Sequence, residues 1–311
     1  MFNLFRNKKP IQAEKIHFSY SEKEVLRDIS LNLRKGEIIC VVGKSGSGKS
    51  TFLKILAGII SIGYKGKIKI FGKPSFFEKR KIGFVPQEIS LIPDLSIEDN
   101  IKVIGLSYGV SEKISLERAD ELFKLLKIEE SIKKKPLELS GGQRSRLNIV
   151  LSILHNPDIL IMDEPFVGLD FENRKLVWHF LESLRRKGKS IILTSHLLSE
   201  VEEHADRLVI LKSGKIFFSG GLEKLREKLK INFILELRFQ KFSKEKFENL
   251  RKFCVYKDIK LMDFYENYAM FGMNSEKERD IIFSFLNKLG INFKEKTFRE
   301  PNLDEIFLSS R

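Results

Sequence analysis

The chain has 311 residues, of which 42% are hydrophobic and 32% charged, and this composition predicts a globular protein with one large or two smaller domains. No apolar run approaches the roughly 20 residues of a membrane-spanning helix. The N-terminal stretch MFNLFRNKKPIQ contains no apolar segment of signal-peptide length, so we expect a protein that stays in the cytosol or docks on a structure there. The two cysteines, Cys40 and Cys254, and the five histidines show no metal-ligand spacing and no disulfide framework.

The net charge of +14 raises the question of an anionic partner, either nucleic acid or a membrane surface. Residues 231–311 carry 15 Lys and Arg against 13 Asp and Glu, so nearly all of the excess lies before them. The basic clusters there are short and separate: Lys8-Lys9, Lys79-Arg80-Lys81, Lys133-Lys134-Lys135 and Arg185-Arg186-Lys187. Solvated lysine-rich faces explain this pattern better than one binding patch.

Two apolar or alternating segments, residues 11–18 and 29–33, predict a pair of strands that opens the fold. Tyr20 lies between them. Its ring could stack on a flat base, or it could be an ordinary tyrosine at the end of a strand. The residue alone does not decide between these two interpretations.

The strongest motif, GKSGSGKST at residues 43–51, follows the apolar run IICVV and precedes a segment with helical spacing. Strand, glycine-rich turn and helix together are typical of a loop that binds a nucleoside triphosphate, whose phosphates contact backbone N–H groups and the start of the helix. We expect Lys49 to reach the β- and γ-phosphates and Ser50 to help hold Mg²⁺. The predicted nucleotide-binding residues of this loop are Gly43, Lys44, Ser45, Gly46, Ser47, Gly48, Lys49, Ser50 and Thr51.

The next segment predicts two strands, at residues 65–72 and 81–88, the second of which ends at Gln87. Ser96 followed by Asp99 indicates an N-cap for a helix from about residue 97. Apolar residues at spacings of three and four predict a second helix over residues 115–128. Residues 90–140 are therefore predicted to form a helical insert, which extends to about residue 155 with the helix described next.

Ser140 and Gln143, in LSGGQ, have the spacing of a capping box at the start of a helix that runs to about His155. The intervening glycines, Gly141 and Gly142, would leave the amides of the first turn accessible to a phosphate. After Pro157, the apolar strand ILIM leads directly into Asp163 and Glu164.

Asp163 and Glu164 follow the carboxyl end of a predicted strand, where open α/β sheets place ligand-binding groups. We expect Asp163 to hold Mg²⁺ and Glu164 to orient or deprotonate the attacking water. His196 follows the next buried strand, SIILT; a single histidine is usually structural, but at this sheet edge it could contact the γ-phosphate. RLVILKSGKIFFSG predicts a hairpin that turns at Ser213-Gly214 and closes the domain near residue 220.

These motifs occur in the order GKSGSGKST, Gln87, LSGGQ, ILIMDEP, GLD and His196. In this order and spacing the chain resembles the ATP-binding cassette (ABC) ATPases over about residues 11–225. LSGGQ is the most specific of these motifs. The resemblance implies an α/β fold: a phosphate-loop NTPase core with an antiparallel β subdomain and a helical insert. It implies ATP and Mg²⁺ as ligands.

The same resemblance assigns roles by position. Tyr20 is implied to stack on adenine, and Gln87 to contact Mg²⁺ and the attacking water. Glu164 is implied to be the catalytic carboxylate, Asp170 an interface residue and His196 the switch histidine. In this family two cassettes pair head to tail, so Ser140, Gly141, Gly142 and Gln143 would close the nucleotide of a second copy.

Two further segments are SLIPDLSIEDNI, after Gln87, and EPNLDEIFL, at residues 300–308. Both resemble segments of the one-cassette subunits of multidrug-type (ABC-2) exporters, whose permease is a separate chain. The implied protein is a peripheral subunit on the cytoplasmic face of the membrane that pairs with itself and with permease subunits, without nucleic acid. Two alternatives stay open: a soluble ABC ATPase acting on nucleic acid or ribosomes, and an importer ATPase.

The pattern changes after the cassette, and we predict two domains, residues 1–225 and residues 231–311. The second contains strand, helix, hairpin, helix and strand patterns, an order that suggests a small ferredoxin-like α+β module. Ser275 and Glu278 have capping-box spacing at the start of its second helix, which Gly290 would end. No catalytic constellation occurs in this segment, so packing or dimerisation explains it better than ligand sensing.

Overall fold

The structure is a computed structural model, and it describes residues 9–88, 90–128, 132–239, 244–265, 267–303 and 305. The chain divides into two compact units. The first contains the described residues up to Leu197 together with Glu203–Ser219, and the second contains Leu198–Glu202 and the described residues from Gly220 onward. Within the described ranges, no helix is both long enough and apolar enough to cross a membrane.

The elements as far as residue 220 comprise the strands of two sheets and a series of α-helices. In chain order they are β1 (Ile11–Tyr20), β2 (Lys23–Leu33), β3 (Ile38–Val42), α1 (Lys49–Leu56), β4 (Tyr64–Ile70), β5 (Lys73–Pro74), β6 (Ile82–Val85), α2 (Ile97–Ser107), α3 (Glu112–Leu125), α4 (Gly141–Ile153), β7 (Ile159–Met162), α5 (Phe171–Arg186), β8 (Ser190–Thr194), α6 (Leu198–His204), β9 (Arg207–Lys212) and β10 (Lys215–Gly220).

The central sheet has the strand order β10-β9-β3-β8-β7-β6, and the four pairings from β9 through β3, β8 and β7 to β6 are parallel. Strands β3, β7 and β8 are buried along their whole length, as expected for parallel strands covered on both faces. The carboxyl ends of parallel strands meet at one sheet edge. The phosphate loop, the Asp163-Glu164 pair and His196 therefore leave the sheet on the same side.

A second sheet, in the order β2-β1-β4-β5, is antiparallel. The predicted opening strand pair is confirmed, with Ile11 opposite Leu33 and Tyr20 opposite Lys23. Its inward-facing residues join a core with Phe52 and Leu56 of α1. This sheet thereby presents the Tyr20 end of β1 near the helix that follows the phosphate loop.

The predicted helices between residues 90 and 155 are confirmed, although α3 begins three residues earlier than expected, at Glu112. Ser96 caps α2 by accepting a hydrogen bond from the Asp99 N–H. Asn100, which is fully buried, accepts from the Ile92 N–H at 2.8 Å and donates to the Ser96 carbonyl at 2.9 Å. These bonds order the loop that joins the central sheet to the helical insert.

The second unit contains α7 (Leu222–Leu229), β11 (Phe233–Phe239), α8 (Lys244–Tyr256), β12 (Lys260–Tyr265), β13 (Tyr268–Met273), α9 (Glu276–Lys288) and β14 (Phe293–Arg299). Its sheet has the order β12-β13-β11-β14 and is antiparallel throughout, which confirms the β-α-β-β-α-β order predicted from the sequence. Leu237, Phe271, Ile282 and Leu286 are fully buried in its core.

One predicted cap in this unit is wrong. Ser275 precedes α9, but its side chain makes no capping hydrogen bond. The Glu278 carboxylate instead accepts from the Asn274 N–H, one residue before the expected partner. The exporter-like ending EPNLDEIFL lies partly outside the described residues, which include Leu303 and Glu305 but not residues 304 and 306–308.

Candidate active site

The turn between β3 and α1 has a geometry that glycine alone permits at two positions. A Cβ added to Gly43 would lie 2.4 Å from the Leu211 carbonyl oxygen and 2.6 Å from Ser47 Oγ. Gly48 has φ +103°, and a Cβ there would lie 2.7 Å from Leu26 Cδ2. Side chains at these positions would therefore displace the loop. The backbone between them stays free to face an anion.

Lys49 begins α1 and is 7% exposed. Its Nζ donates hydrogen bonds to the carbonyl of Gly43 at 2.9 Å and to that of Lys44 at 3.4 Å. Burial lowers the pKa of the Lys49 ammonium, while the carboxylates of Glu164 and Asp163 act in the opposite direction. Two backbone carbonyls thus hold the Lys49 ammonium against the loop, and the carboxylates of Glu164 and Asp163 stabilise its charged form.

Asp163 and Glu164 follow β7, as predicted, and are 2% and 8% exposed. Thr194, the last residue of the adjacent strand β8, contacts both. Its Oγ1 accepts from the Glu164 N–H at 2.8 Å and donates to Asp163 Oδ1 at 2.7 Å. Glu164 has a positive φ of 52°, a conformation that is uncommon for a side chain of this type.

The Glu164 carboxylate faces His196, with 2.9 Å between Oε1 and Nε2. This is an ion-pair distance, but the alignment does not make a hydrogen bond, and Oε1 has no hydrogen-bond partner among the described residues. Burial raises the pKa of the Glu164 carboxyl, whereas His196 and Lys49 act to lower it. His196 itself is largely exposed, at 61% of its side chain. A buried carboxylate with an unpaired oxygen beside an accessible imidazole is an arrangement suited to proton transfer.

These groups open into one pocket of about 350 Å³. Its lining contains most of the residues predicted from the sequence to bind or hydrolyse a nucleotide. The lining residues are Tyr20, Lys23, Val25, Ser45, Gly46, Gly48, Lys49, Ser50, Thr51, Gln87, Glu164 and His196.

Tyr20 lies at one end of this lining and is 51% exposed. Phe18 supports its ring edge-on, with 4.7 Å between the ring centroids. Sequence reasoning missed Lys23 and Val25, which reach the pocket because β2 pairs with the end of β1. The only signal for them was their position immediately after the Tyr20 turn.

The remaining loop residues, Gly43, Lys44 and Ser47, do not line the pocket; they form the turn behind it. Ser47 Oγ is buried and has no hydrogen-bond partner among the described residues. Gly46, Gly48, the Lys49 ammonium and the Ser50 hydroxyl line the pocket and form a donor set that fits a phosphate. The Asp163 carboxylate, which lies next to Glu164, adds an oxygen ligand of the kind that Mg²⁺ prefers.

The LSGGQ residues lie outside this pocket lining. The predicted capping box at the start of α4 is confirmed: Gln143 N–H donates to Ser140 Oγ at 3.2 Å, and Ser140 N–H donates to Gln143 Oε1 at 2.8 Å. A Cβ on Gly141 would meet nothing within 4 Å, and one on Gly142 would be 3.6 Å from Leu169 Cδ2. The first turn of α4 is therefore open on one side.

Asp170 belongs to the same surface as the start of α4. It caps α5 by accepting from the Asn173 N–H at 2.8 Å, and the Asn173 side chain bonds Arg146 of α4. Ser145 of α4 also donates to the Val167 carbonyl at 3.4 Å. The N-terminal ends of α4 and α5 thus form one surface, separate from the lining of the pocket.

Comparison with known proteins gives a consistent result. A sequence profile for the family described as "ABC transporter" matches residues 26–167. The linearmycin resistance ATP-binding protein LnrL of Bacillus subtilis is 31% identical over 303 residues, which cover 96% of this chain and 97% of that protein. The Nod factor export ATP-binding protein I of Paraburkholderia xenovorans is 34% identical and covers 68% of this chain and 70% of its own length.

Solved structures agree with the sequence relatives. An ATP-binding subunit of an ABC transporter superposes with a TM-score of 0.65 at 27% identity, covering 70% of this chain and 92% of that chain. The cassette MJ0796, solved as a dimer in a post-hydrolysis state with ADP and Pi, superposes with a TM-score of 0.62 at 28% identity, covering 68% of this chain and 98% of that chain.

Proposed function

The chain belongs to the ABC transporter family of ATP-binding proteins and is an ATPase, and we propose that it powers export through separate permease subunits in the membrane. The pocket in which Lys49, Glu164 and His196 converge supports the ATP-driven part of this proposal. The direction of transport is supported by the exporter and resistance proteins among the relatives, one of which matches nearly the whole chain.

ATP would lie along the pocket from Tyr20 to Gln87. Tyr20 presents an exposed ring to adenine, and the loop amides with Lys49 bind the phosphates. Ser50, Gln87 and Asp163 would hold Mg²⁺, which when bound neutralises part of the charge on the phosphates. The further loop contacts come from Ser45, Gly46, Gly48 and Thr51, which line the same pocket.

Glu164 would take a proton from the water that attacks the γ-phosphate. Burial raises the pKa of this carboxyl, which makes the carboxylate a stronger base, while Lys49 and His196 favour its ionised form. His196 would hydrogen-bond the γ-phosphate and release it after hydrolysis. The site thereby distinguishes ATP from ADP.

A second copy of the chain would complete each site. Ser140, Gly141, Gly142, Gln143 and Asp170 form a surface outside the pocket lining, and the open first turn of α4 suits a phosphate. The MJ0796 cassette, a structural neighbour, is dimeric. A two-fold head-to-tail dimer would bring this surface of each copy onto the ATP of the other, so that ATP closes the dimer and hydrolysis reopens it.

The dimer is tested with Glu164→Gln, which keeps the shape of the side chain but removes the base. We expect this variant to elute as a dimer with ATP and as a monomer with ADP, and to lose hydrolysis. Glu117→Gln, on an exposed residue of α3, is the control and should behave as the wild type. A Glu164→Gln chain that hydrolyses ATP at the wild-type rate would refute the assigned role.

The partner is tested by affinity purification of the tagged chain from detergent-solubilised membranes. Co-purification of a polytopic membrane protein supports the transporter function, whereas co-purification of ribosomes or nucleic acid would favour the soluble alternative. The direction of transport is measured in inside-out vesicles that contain the complex. ATP-driven uptake into them indicates export, and ATP-driven loss would indicate an importer.

A further inference from the structure

Thr194 connects the two carboxylates of the candidate site through a single hydroxyl. It is completely buried at the end of β8. The register of the sheet pairs Met162 of β7 with Leu193 of β8, so Asp163 and Thr194 come next on the two strands. The sheet itself thus brings the hydroxyl between the Glu164 amide, at 2.8 Å, and Asp163 Oδ1, at 2.7 Å.

The hydroxyl has one proton and donates it to Asp163, so it can only accept from the Glu164 N–H. This dual bond defines which oxygen of Asp163 faces the strand β8. It also pairs a buried backbone N–H, which would otherwise cost free energy.

The backbone of Glu164 has φ +52°, a left-handed conformation that persists in a bulky residue only where the surroundings impose it. The bond from its amide to Thr194 is one such constraint. Two residues beyond Thr194, His196 reaches the Glu164 carboxylate. The Thr194 hydroxyl therefore connects the segment after β7, which contains Asp163 and Glu164, with the segment after β8, which contains His196.

We infer that Thr194 is a positioning residue for ATP hydrolysis, which sets the directions of Asp163 and Glu164 relative to each other and to His196. The inference rests on the proposed roles of Asp163 and Glu164. Thr194 does not line the pocket, so it acts through these residues and does not touch the nucleotide.

The alternative is that the hydroxyl only satisfies buried polar groups and stabilises the fold. Ser190, at the opposite end of the same strand, provides the matched control for that alternative. Its hydroxyl is also buried and accepts a backbone hydrogen bond, from the Gly36 N–H at 3.1 Å, but it has no contact with the site. A purely structural role predicts similar consequences for the loss of either hydroxyl.

The test compares Thr194→Val, which keeps the shape and removes both bonds, with Thr194→Ser, which keeps the hydroxyl, and with Ser190→Ala. Each full-length variant is measured for kcat, KM, the melting temperature and the affinity of a fluorescent ATP analogue with and without Mg²⁺. A misplacement of about 1 Å at a reacting group can cost on the order of 10²-fold in rate.

For Thr194→Val we therefore expect a fall in kcat of about tenfold or more, together with a smaller gain in analogue affinity on addition of Mg²⁺ and unchanged affinity without Mg²⁺. Thr194→Ser should keep the wild-type kcat and the wild-type gain in affinity with Mg²⁺. Ser190→Ala should lower only the melting temperature. A Thr194→Val enzyme with the kcat and the Mg²⁺ response of the wild type would overturn the inference.

If Thr194→Val does not give a cooperative melting transition, Thr194→Cys replaces it, since a thiol has a similar volume and is a weaker hydrogen-bonding group. Wild-type kcat in that variant would equally overturn the inference. Glu164→Gln is assayed in parallel. Hydrolysis by Glu164→Gln at the wild-type rate would refute the proposed role of Glu164, whereas an inactive Glu164→Gln beside a fully active Thr194→Val refutes the role of Thr194 alone.

Discussion

His196 Nε2 lies 2.9 Å from Glu164 Oε1, although the two residues are far apart in sequence and leave the sheet from different strands. The relationship exists because β7 and β8 are adjacent and parallel, so both strands end at one sheet edge. The carboxylate is buried and the imidazole is accessible. A γ-phosphate entering the pocket would therefore meet the imidazole on the solvent side of the carboxylate.

We predict that His196→Ala lowers kcat by about 10²-fold, the size of effect expected when a positioned proton-transfer or hydrogen-bonding group is lost. ATP affinity should change little, because the loop and Lys49 remain. Steady-state hydrolysis and a nucleotide-binding titration measure the two quantities. His179→Ala, at an exposed position on α5, is the control; equal effects of the two substitutions would contradict a specific role of His196.

Lys49→Ala should abolish measurable ATP binding at micromolar nucleotide. The substitution removes the buried ammonium that the Gly43 and Lys44 carbonyls hold in the loop, and with it the charge opposite the phosphates. Lys54→Ala, in the last turn of the same helix, should bind ATP normally. Isothermal titration of both variants provides the measurement, and normal affinity in Lys49→Ala would contradict the assignment of the loop.

The two glycines Gly43 and Gly141 provide a matched pair for stability. Gly43→Ala places a Cβ within 2.4 Å of a backbone oxygen, while Gly141→Ala meets nothing within 4 Å. We expect Gly43→Ala to lower the free energy of unfolding by about 1–3 kcal/mol, the usual cost of overpacking, and Gly141→Ala to leave it unchanged. Urea denaturation without nucleotide measures both, and equal stabilities would show that the loop relaxes freely.

His155 should make the stability of the cassette depend on pH. Burial lowers the pKa of this imidazole, and the nearby Arg118 and Lys189 lower it further, against the hydrogen bond to the Ile82 carbonyl. The unfolded chain therefore binds a proton at a higher pH than the folded chain. Stability contributed by the neutral ring is present above the unfolded pKa of about 6.5 and is lost as the pH falls below it.

His155→Phe tests this prediction, because it keeps a ring for the stack on Tyr108, at 3.8 Å between centroids, and removes the titrating group. The free energy of unfolding is compared at about pH 7.5 and about pH 5.5. The loss of stability between the two values should be smaller in His155→Phe than in the wild type, whatever the absolute stabilities. His179→Gln, at an exposed site, should keep the wild-type difference.

Local patterns were sufficient to predict features whose partners lie close in sequence. The capping box of Ser140 and Gln143 spans three residues, and both of its hydrogen bonds form. The box predicted at Ser275 has the same spacing but does not form, since Glu278 bonds the Asn274 amide instead. The three-residue spacing allows a capping box to form. Whether its hydrogen bonds form depends on the backbone conformation with which the chain enters the helix.

Features that depend on strand pairing could not be predicted in this way. Lys23 and Val25 reach the pocket through the register of β1 and β2, and Thr194 reaches Asp163 through the register of β7 and β8. A sequence contains no local signal for which residues face each other across two strands, because a shift of one residue moves every side chain to the other face.

The family, most of the strands and helices and the candidate phosphate-binding residues could be predicted from the amino-acid sequence, because glycine spacing, apolar periodicity and the LSGGQ motif are patterns between residues close together in the chain. Which of these residues share a pocket and which remain outside it depends on how the strands pair. The parallel sheet brings Lys49, Glu164 and His196 to one edge. The start of α4 stays on a separate surface, where it is available to a second chain.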